Sequence, residues 1–169
     1  MRILIIFIFL LTNSFANEAT DIKNLVINKE LKKYDSLTFL DAKNTQFDLK
    51  NYKGNLILLN FWATWCAPCK EEMPSLDLLQ SNENLKNLKI FPINVGQDNI
   101  EKASNFFDEL KIQNLEIYFD SPITLAKKFS LRGIPTSILL NKDGLEFARI
   151  IGSIDFNDKK FIEWLRNYN

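Results

Sequence analysis

Nine uninterrupted apolar residues, Ile3 to Leu11, follow Met1 and Arg2, and the polar stretch after them ends on small residues at Ser14 and Ala16. As a helix this run would reach about 14 Å, well short of the roughly 30 Å of bilayer hydrocarbon. Residues 1–16 therefore match the charged start, apolar middle and A-x-A-like end of a secretory signal. A core helix is the plainer alternative, and an uncleaved leader would instead tether the domain to a membrane. Residues 17–35 are polar and lysine-containing, with a small apolar group at Leu25, Val26 and Ile27, and read as an N-terminal arm.

From residue 36 onward the periodicity alternates between strand and helix. Leu37–Leu40, a turn over Asp41–Asn44, and Thr45–Asp48 predict a hairpin. Leu56–Phe61 (LILLNF) is almost continuously apolar and predicts a strand buried on both faces. A helix is predicted from about Cys66 to Leu79, bent where Pro74 removes a donor. Ile90–Val95 predicts the next strand, and Asn99–Leu110 a helix with Ile100, Ala103, Phe106, Phe107 and Leu110 on one stripe. A short strand at 117–119 and a short helix at 123–129 come next. Ser137–Leu140, the turn Asn141–Gly144 and Leu145–Ile151 predict a second hairpin, and a helix over 157–167 closes the chain. Strand, helix and strand followed by a hairpin and a helix predict an α/β sandwich on a mixed sheet, one domain over 36–169.

Composition narrows the chemistry. The chain has 169 residues, two cysteines and no histidine. A chain of this size buries enough surface to fold without a metal or a disulfide staple, which leaves the cysteines free for chemistry. Without histidine there is no Ser/His/Asp or Cys/His catalysis, no His-ligated haem and no mixed Cys/His zinc site, and two cysteines cannot supply four zinc ligands. No metal and no cofactor are expected. Positive and negative residues balance at 21 each, and no basic run reaches five, so nucleic acid is not an expected partner.

The two cysteines lie in Trp65-Cys66-Ala67-Pro68-Cys69, where the apolar strand ends and the helix begins. A sulfur at a helix N-terminus meets unpaired N–H groups and the positive end of the macrodipole, which favour thiolate over thiol. Cys69 lies one turn later on the same face, within disulfide reach, so a bond made by Cys66 to a foreign sulfur can be resolved internally. Ala67 and Pro68 open the helix, where proline restricts the backbone without losing a needed donor. A plain staple is the alternative, although a four-residue loop yields only about 2 kcal/mol in the chain-entropy model. A copper-type site would want a further soft or imidazole ligand. Peroxidase chemistry of the peroxiredoxin kind would want Pro and Thr where Leu59 and Ala63 stand.

The segment Asn60-Phe61-Trp62-Ala63-Thr64-Trp65-Cys66-Ala67-Pro68-Cys69-Lys70-Glu71-Glu72-Met73-Pro74 resembles the active-site region of the thioredoxin superfamily, in particular its exported TlpA/ResA-like disulfide reductases. The likeness spans roughly residues 36–169. It implies a thioredoxin-like fold with an N-terminal hairpin extension and a central strand-helix insert. It also implies that Pro135, in Arg132-Gly133-Ile134-Pro135-Thr136, is cis and faces the cysteines, with Ile134 offering backbone groups to a client peptide. An ordinary turn before a strand is the alternative there. Thioredoxin carries a buried Asp at the position of Asn60, which cannot titrate here, and the TlpA/ResA likeness brings Glu72 forward as the base for Cys69. Spacing agrees, since Cys69 and Glu72 are i and i+3 on one helix; the plainer alternative is a solvated acid beside Glu71. Trp65 is expected to border the cysteines and present a flat apolar surface to substrate, and Trp62 to belong to the core; a plain core residue is the alternative for either.

Two functions follow as expectations. The first is a periplasmic or exported thiol-disulfide oxidoreductase that reduces client proteins with disulfides, apocytochrome c among them, and is recharged by a membrane electron donor of the CcdA or DsbD type. The second is a thioredoxin-fold binding or folding-assistance module whose disulfide does not cycle. Electron flow in the opposite direction, as in an oxidant, is a variant of the first.

Overall fold

The computed structural model describes residues 21–169, so the leader reading of residues 1–16 lies outside the described residues. Eight strands form one mixed sheet in the order β1-β8-β7-β4-β5-β6-β2-β3. Their ranges are β1 Leu25–Lys32, β2 Thr38–Asp41, β3 Gln46–Asp48, β4 Leu56–Trp62, β5 Leu88–Asn94, β6 Tyr118–Phe119, β7 Thr136–Leu140 and β8 Glu146–Ile151. The helices are α1 Ala67–Gln80, α2 Ile100–Glu109, α3 Leu125–Lys128 and α4 Lys159–Arg166.

Strand β4 is the axis of the molecule. It runs parallel to β5 and antiparallel to β7, and all seven of its residues are buried, as its continuous apolar pattern predicted. Alternation divides it between two cores. Leu56, Leu58 and Trp62 join the cluster that takes in α1, α2 and α4; Ile57, Leu59 and Phe61 join a second one containing Phe39, Phe91, Leu125 and Phe129. Asn60 has the parity of Leu58 and Trp62, so its amide lies on the α1 side. That parity builds the site.

Both predicted hairpins form. In the first, Asp41 Oδ1 accepts the N–H groups of Lys43 and Thr45 at 2.8 and 2.7 Å. In the second, Asn141 Oδ1 accepts those of Asp143 and Leu145, and Gly144 takes φ +79°, a conformation costly for residues with a Cβ. The first hairpin docks on β6, the strand of the predicted insert, and so extends the sheet at one edge.

The segment read as a polar arm does more than expected. Over Leu25–Lys32 it is the edge strand β1, paired antiparallel with β8, although most of its side chains are exposed. Its anchor is a buried acid. Glu146 is fully buried and accepts bonds from Arg149 at 2.5 and 2.9 Å, Tyr34 Oη at 2.5 Å and Asn28 Nδ2 at 3.0 Å. Residues i and i+3 of a regular strand face opposite sides, but a register shift in the β7–β8 ladder beside Glu146 changes the phase and lets Arg149 reach it. Arg149 also donates to the Phe129 carbonyl at 2.8 Å. Arg149→Leu is expected to destabilise the fold by roughly 3–5 kcal/mol in chemical denaturation, because it strands a buried carboxylate. A loss below about 1 kcal/mol would show that Tyr34 and Asn28 satisfy Glu146 without it.

Candidate active site

The site is assembled at the C-terminal end of β4. After Trp62 the chain makes a turn, closed by Cys66 N–H donating to the Ala63 carbonyl at 3.1 Å, and enters α1. Cys66 is the N-cap of α1, in extended conformation, and its sulfur accepts the Cys69 N–H at 3.3 Å. A sulfur here fills the place that a Ser or Asp oxygen takes at most helix starts. Ala67 and Pro68 occupy the first two helical positions and both are exposed. No acid lies in the first turn to oppose a negative sulfur.

Cys66 and Cys69 are joined in a disulfide, with an S–S distance of 2.00 Å. The two halves differ in access: Cys66 keeps 4% of its surface and Cys69 none. Trp65, immediately before them, is 70% exposed, whereas Trp62 is wholly buried between Phe106 and Phe107. Trp62 is therefore the core residue that the sequence preferred, and the core alternative does not hold for Trp65.

Helix α1 is continuous through Pro74. It is held against its surroundings by polar ties. Asp77 accepts the N–H groups of Asn114 and Leu115 at 2.7 and 3.1 Å, and Ser75 Oγ accepts that of Phe156 at 3.0 Å. These fix the helix face that carries Glu72.

Glu72 is not a solvated acid. Only 3% of it is exposed, and its Oε1 accepts Asn60 Nδ2 at 2.8 Å while the Ile154 N–H points to Oε2 at 3.4 Å. Burial pushes its carboxyl up to about 7, against the opposing pull of these two donors. Asn60, wholly buried, also donates to Ser137 Oγ at 3.0 Å. The amide that cannot titrate thus holds the carboxyl that can. A cavity of about 550 Å³ between α1, the 153–155 loop and α4 reaches Glu72 from the flank.

The Ile134–Pro135 bond is cis. The β4–β7 register sets Phe61 opposite Thr136, so Pro135 stands at the same end of the sheet from which the Cys66 turn departs. Pro135 is buried, its carbonyl accepting the Gly152 N–H at 2.9 Å, while Ile134 is half-buried against the cluster that contains both cysteines. Sequence reasoning missed Asn94, Gly96 and Asp98, which close on the turn from β5. The signal available was a Gly-Gln-Asp run directly after a buried parallel strand, where loops approach the site.

A redox-type cysteine pair at the start of the helix that follows the central strand of a thioredoxin fold, with Cys66 as its cap and a buried acid one turn on, defines a thiol-disulfide oxidoreductase. The comparisons agree. A family model described as Redoxin matches residues 16–159, and the chain belongs to that family. It is 30% identical over 132 residues to a thiol-disulfide oxidoreductase ResA of Bacillus cereus, covering 78% of this chain and 73% of the relative. The crystal structure of StoA from Bacillus subtilis matches with a TM-score of 0.65 at 27% identity, over 78% of this chain and 96% of StoA. A DsbF homologue from Corynebacterium diphtheriae shares the fold, with a TM-score of 0.71 at 21% identity, covering 86% of this chain and 93% of its own. This is a TlpA/ResA-like member of the thioredoxin superfamily, and its activity is thiol-disulfide exchange.

Proposed function

We propose that the chain works as a reductant of protein disulfides outside the cytosol, with Cys66 as the attacking sulfur, Cys69 as the resolving one and Glu72 as the base. One observation carries the assignment of the base: a carboxyl buried on the helix of the sulfur that has no solvent access and held by a neutral amide, with burial raising it to about 7; the reductant direction and the location follow the family likeness and the leader-like residues. A base near neutrality can take a thiol proton and later return it to water.

The steps balance. In the reduced protein the Cys66 thiolate attacks one sulfur of a client disulfide; an S–S bond forms to Cys66 and the client's other sulfur leaves as thiolate. Glu72 takes the Cys69 proton, and the Cys69 thiolate attacks Cys66 Sγ. The Cys66–Cys69 bond forms, the client's second sulfur leaves, and two electrons have passed to the client. Trp65 supplies a flat apolar surface for the client, and Ile134, before cis Pro135, offers backbone groups to the client peptide. Recharging needs a donor of two electrons, for which the family likeness suggests a membrane protein of the CcdA or DsbD type. Apocytochrome c, whose cysteines must be reduced before haem attachment, is the client this likeness favours. The leader-like residues 1–16 support an exported or periplasmic location, tethered to the membrane if they are retained. Among the described residues no helix is long and apolar enough to cross a membrane.

The deciding measurement is the redox potential of the Cys66–Cys69 couple against glutathione. A value near or below about −270 mV, the range of thioredoxin, is expected for a reductant. A value near about −120 mV would reverse the direction of electron flow and make the protein an oxidant. A disulfide that resists mild reductants, with client binding that survives Cys66→Ala, would make it a binding module.

A further inference from the structure

Asp98 closes on the active-site turn from the loop between β5 and α2, and the exchange steps leave it without a role. Its Oδ2 accepts the Thr64 main-chain N–H at 3.0 Å and Asn94 Nδ2 at 2.9 Å, and its Oδ1 accepts the Thr64 hydroxyl at 2.8 Å. Thr64 lies inside the Ala63–Cys66 turn, next to Trp65 and two residues before the attacking sulfur. A carboxylate that takes both the main chain and the side chain of one residue fixes its position and its rotation together, and bonds to an ionised acceptor are the strong ones.

The loop that carries Asp98 is itself locked. Asn94, buried at the end of β5, accepts the Gly96 N–H at 2.9 Å, and Val95 donates to the Trp62 carbonyl at 2.9 Å. Gly96 leaves no room for a side chain: a Cβ there would stand 2.6 Å from Ala63 Cβ and 3.0 Å from Trp65 Nε1. The glycine of the loop therefore lies directly against the Ala63 and Trp65 side chains, and packing joins loop and turn as well as hydrogen bonds. Burial pushes the Asp98 carboxyl up, but its donors, with Lys102 nearby, outweigh that and hold it below the usual carboxylate range.

We propose that Asp98 is the positioning residue of this active site: by clamping Thr64 it sets where the Cys66 sulfur stands against the start of α1 and where Trp65 faces the client. Its hydrogen bonds reach Thr64 and Asn94 rather than either cysteine, so it acts through the turn. The inference rests on the exchange mechanism above. If the turn loosens, Cys66 loses part of the helix-end stabilisation of its thiolate. The reduced form then weakens relative to the disulfide.

The test uses the full chain in four forms: wild type, Asp98→Ala, Asp98→Asn and Thr64→Val. Each is reduced, and the rate of iodoacetamide modification of Cys66 is followed against pH, alongside the glutathione equilibrium and thermal unfolding. Asp98→Ala is expected to raise the pH midpoint of Cys66 by about one unit and to make its disulfide about tenfold harder to reduce, a fall of about 30 mV. Asp98→Asn, which keeps one acceptor oxygen, and Thr64→Val, which loses only the hydroxyl bond, move both quantities the same way by less. Thr64→Val keeps the proposal testable if Asp98→Ala does not fold. Unfolding temperatures that drop while midpoint and potential stay at wild-type values overturn the proposal and leave Asp98 a brace. A midpoint that falls in Asp98→Asn also overturns it, since the charge would then act through space. If wild-type Cys66 itself titrates like an ordinary thiol, the exchange reading fails first, and that result is separate from any difference among the variants.

Discussion

Cys69→Ala is expected to accumulate a covalent mixed disulfide with a client peptide and to release it roughly a thousandfold more slowly than the wild type, while Cys66→Ala forms no adduct. The asymmetry comes from access and geometry together. Cys66 holds the only exposed part of the pair, so the first bond to a foreign sulfur is made there. Release then depends on Cys69, whose α-carbon lies 5.3 Å from that of Cys66 on one rigid helix turn. A reacting pair held in this way has an effective concentration far above any thiol in solution, which is what the variant loses. Mass spectrometry of the reduced variants, mixed with a peptide carrying a disulfide, reads both outcomes. Adducts forming at Cys69 in the Cys66→Ala protein, or wild-type turnover by Cys69→Ala, would contradict the assignment of the two sulfurs.

The second large effect belongs to Glu72 and shows in two unrelated measurements. In kinetics, Glu72→Gln is expected to slow resolution of the mixed disulfide by about a hundredfold, without changing the alkylation of Cys66. The wild-type profile should lose its inflection near pH 7 in the variant. In stability the sign is set by the direction of the shift. Burial raises this carboxyl from 4.5 to about 7, so the folded state favours the protonated form. Its contribution is fully present below about pH 4.5 and is lost as pH rises through about 7. Glutamine carries no such dependence, so the variant gains on the wild type by roughly 3 kcal/mol between pH 4 and pH 8. Denaturant unfolding at those two pH values measures it. A difference that does not change with pH would mean that Glu72 is not held neutral by burial.

Much of this protein is written in local pattern. The apolar run of β4, the stripe of α2 and the second hairpin are periodicities of neighbouring residues, and each element formed within a residue or two of its predicted range. The helix start at Cys66 was legible for the same reason, since a cap and its first turn occupy consecutive positions. Either tryptophan could have been a core residue on sequence grounds; the structure buries Trp62 and leaves Trp65 exposed.

What the pattern left open depends on partners far along the chain. Strand β1 looked like an arm because few of its side chains are buried; what makes it a strand is backbone pairing with β8 and a tie to Glu146, 118 residues beyond Asn28. Glu146 and Arg149 meet only because a register shift changes the strand's phase, which no alternation of residue types announces. Asp98 reaches Thr64 across 34 residues, and Glu72 reaches Asn60 across the gap between helix and sheet. By itself the sequence determined that the two cysteines stand at the start of a helix after a buried strand, because capping and periodicity act over a single turn. The tertiary structure alone decided that Glu72 is buried and its acidity lowered, and that the active-site turn is clamped, because desolvation and charge-assisted bonds exist only once distant segments are packed together.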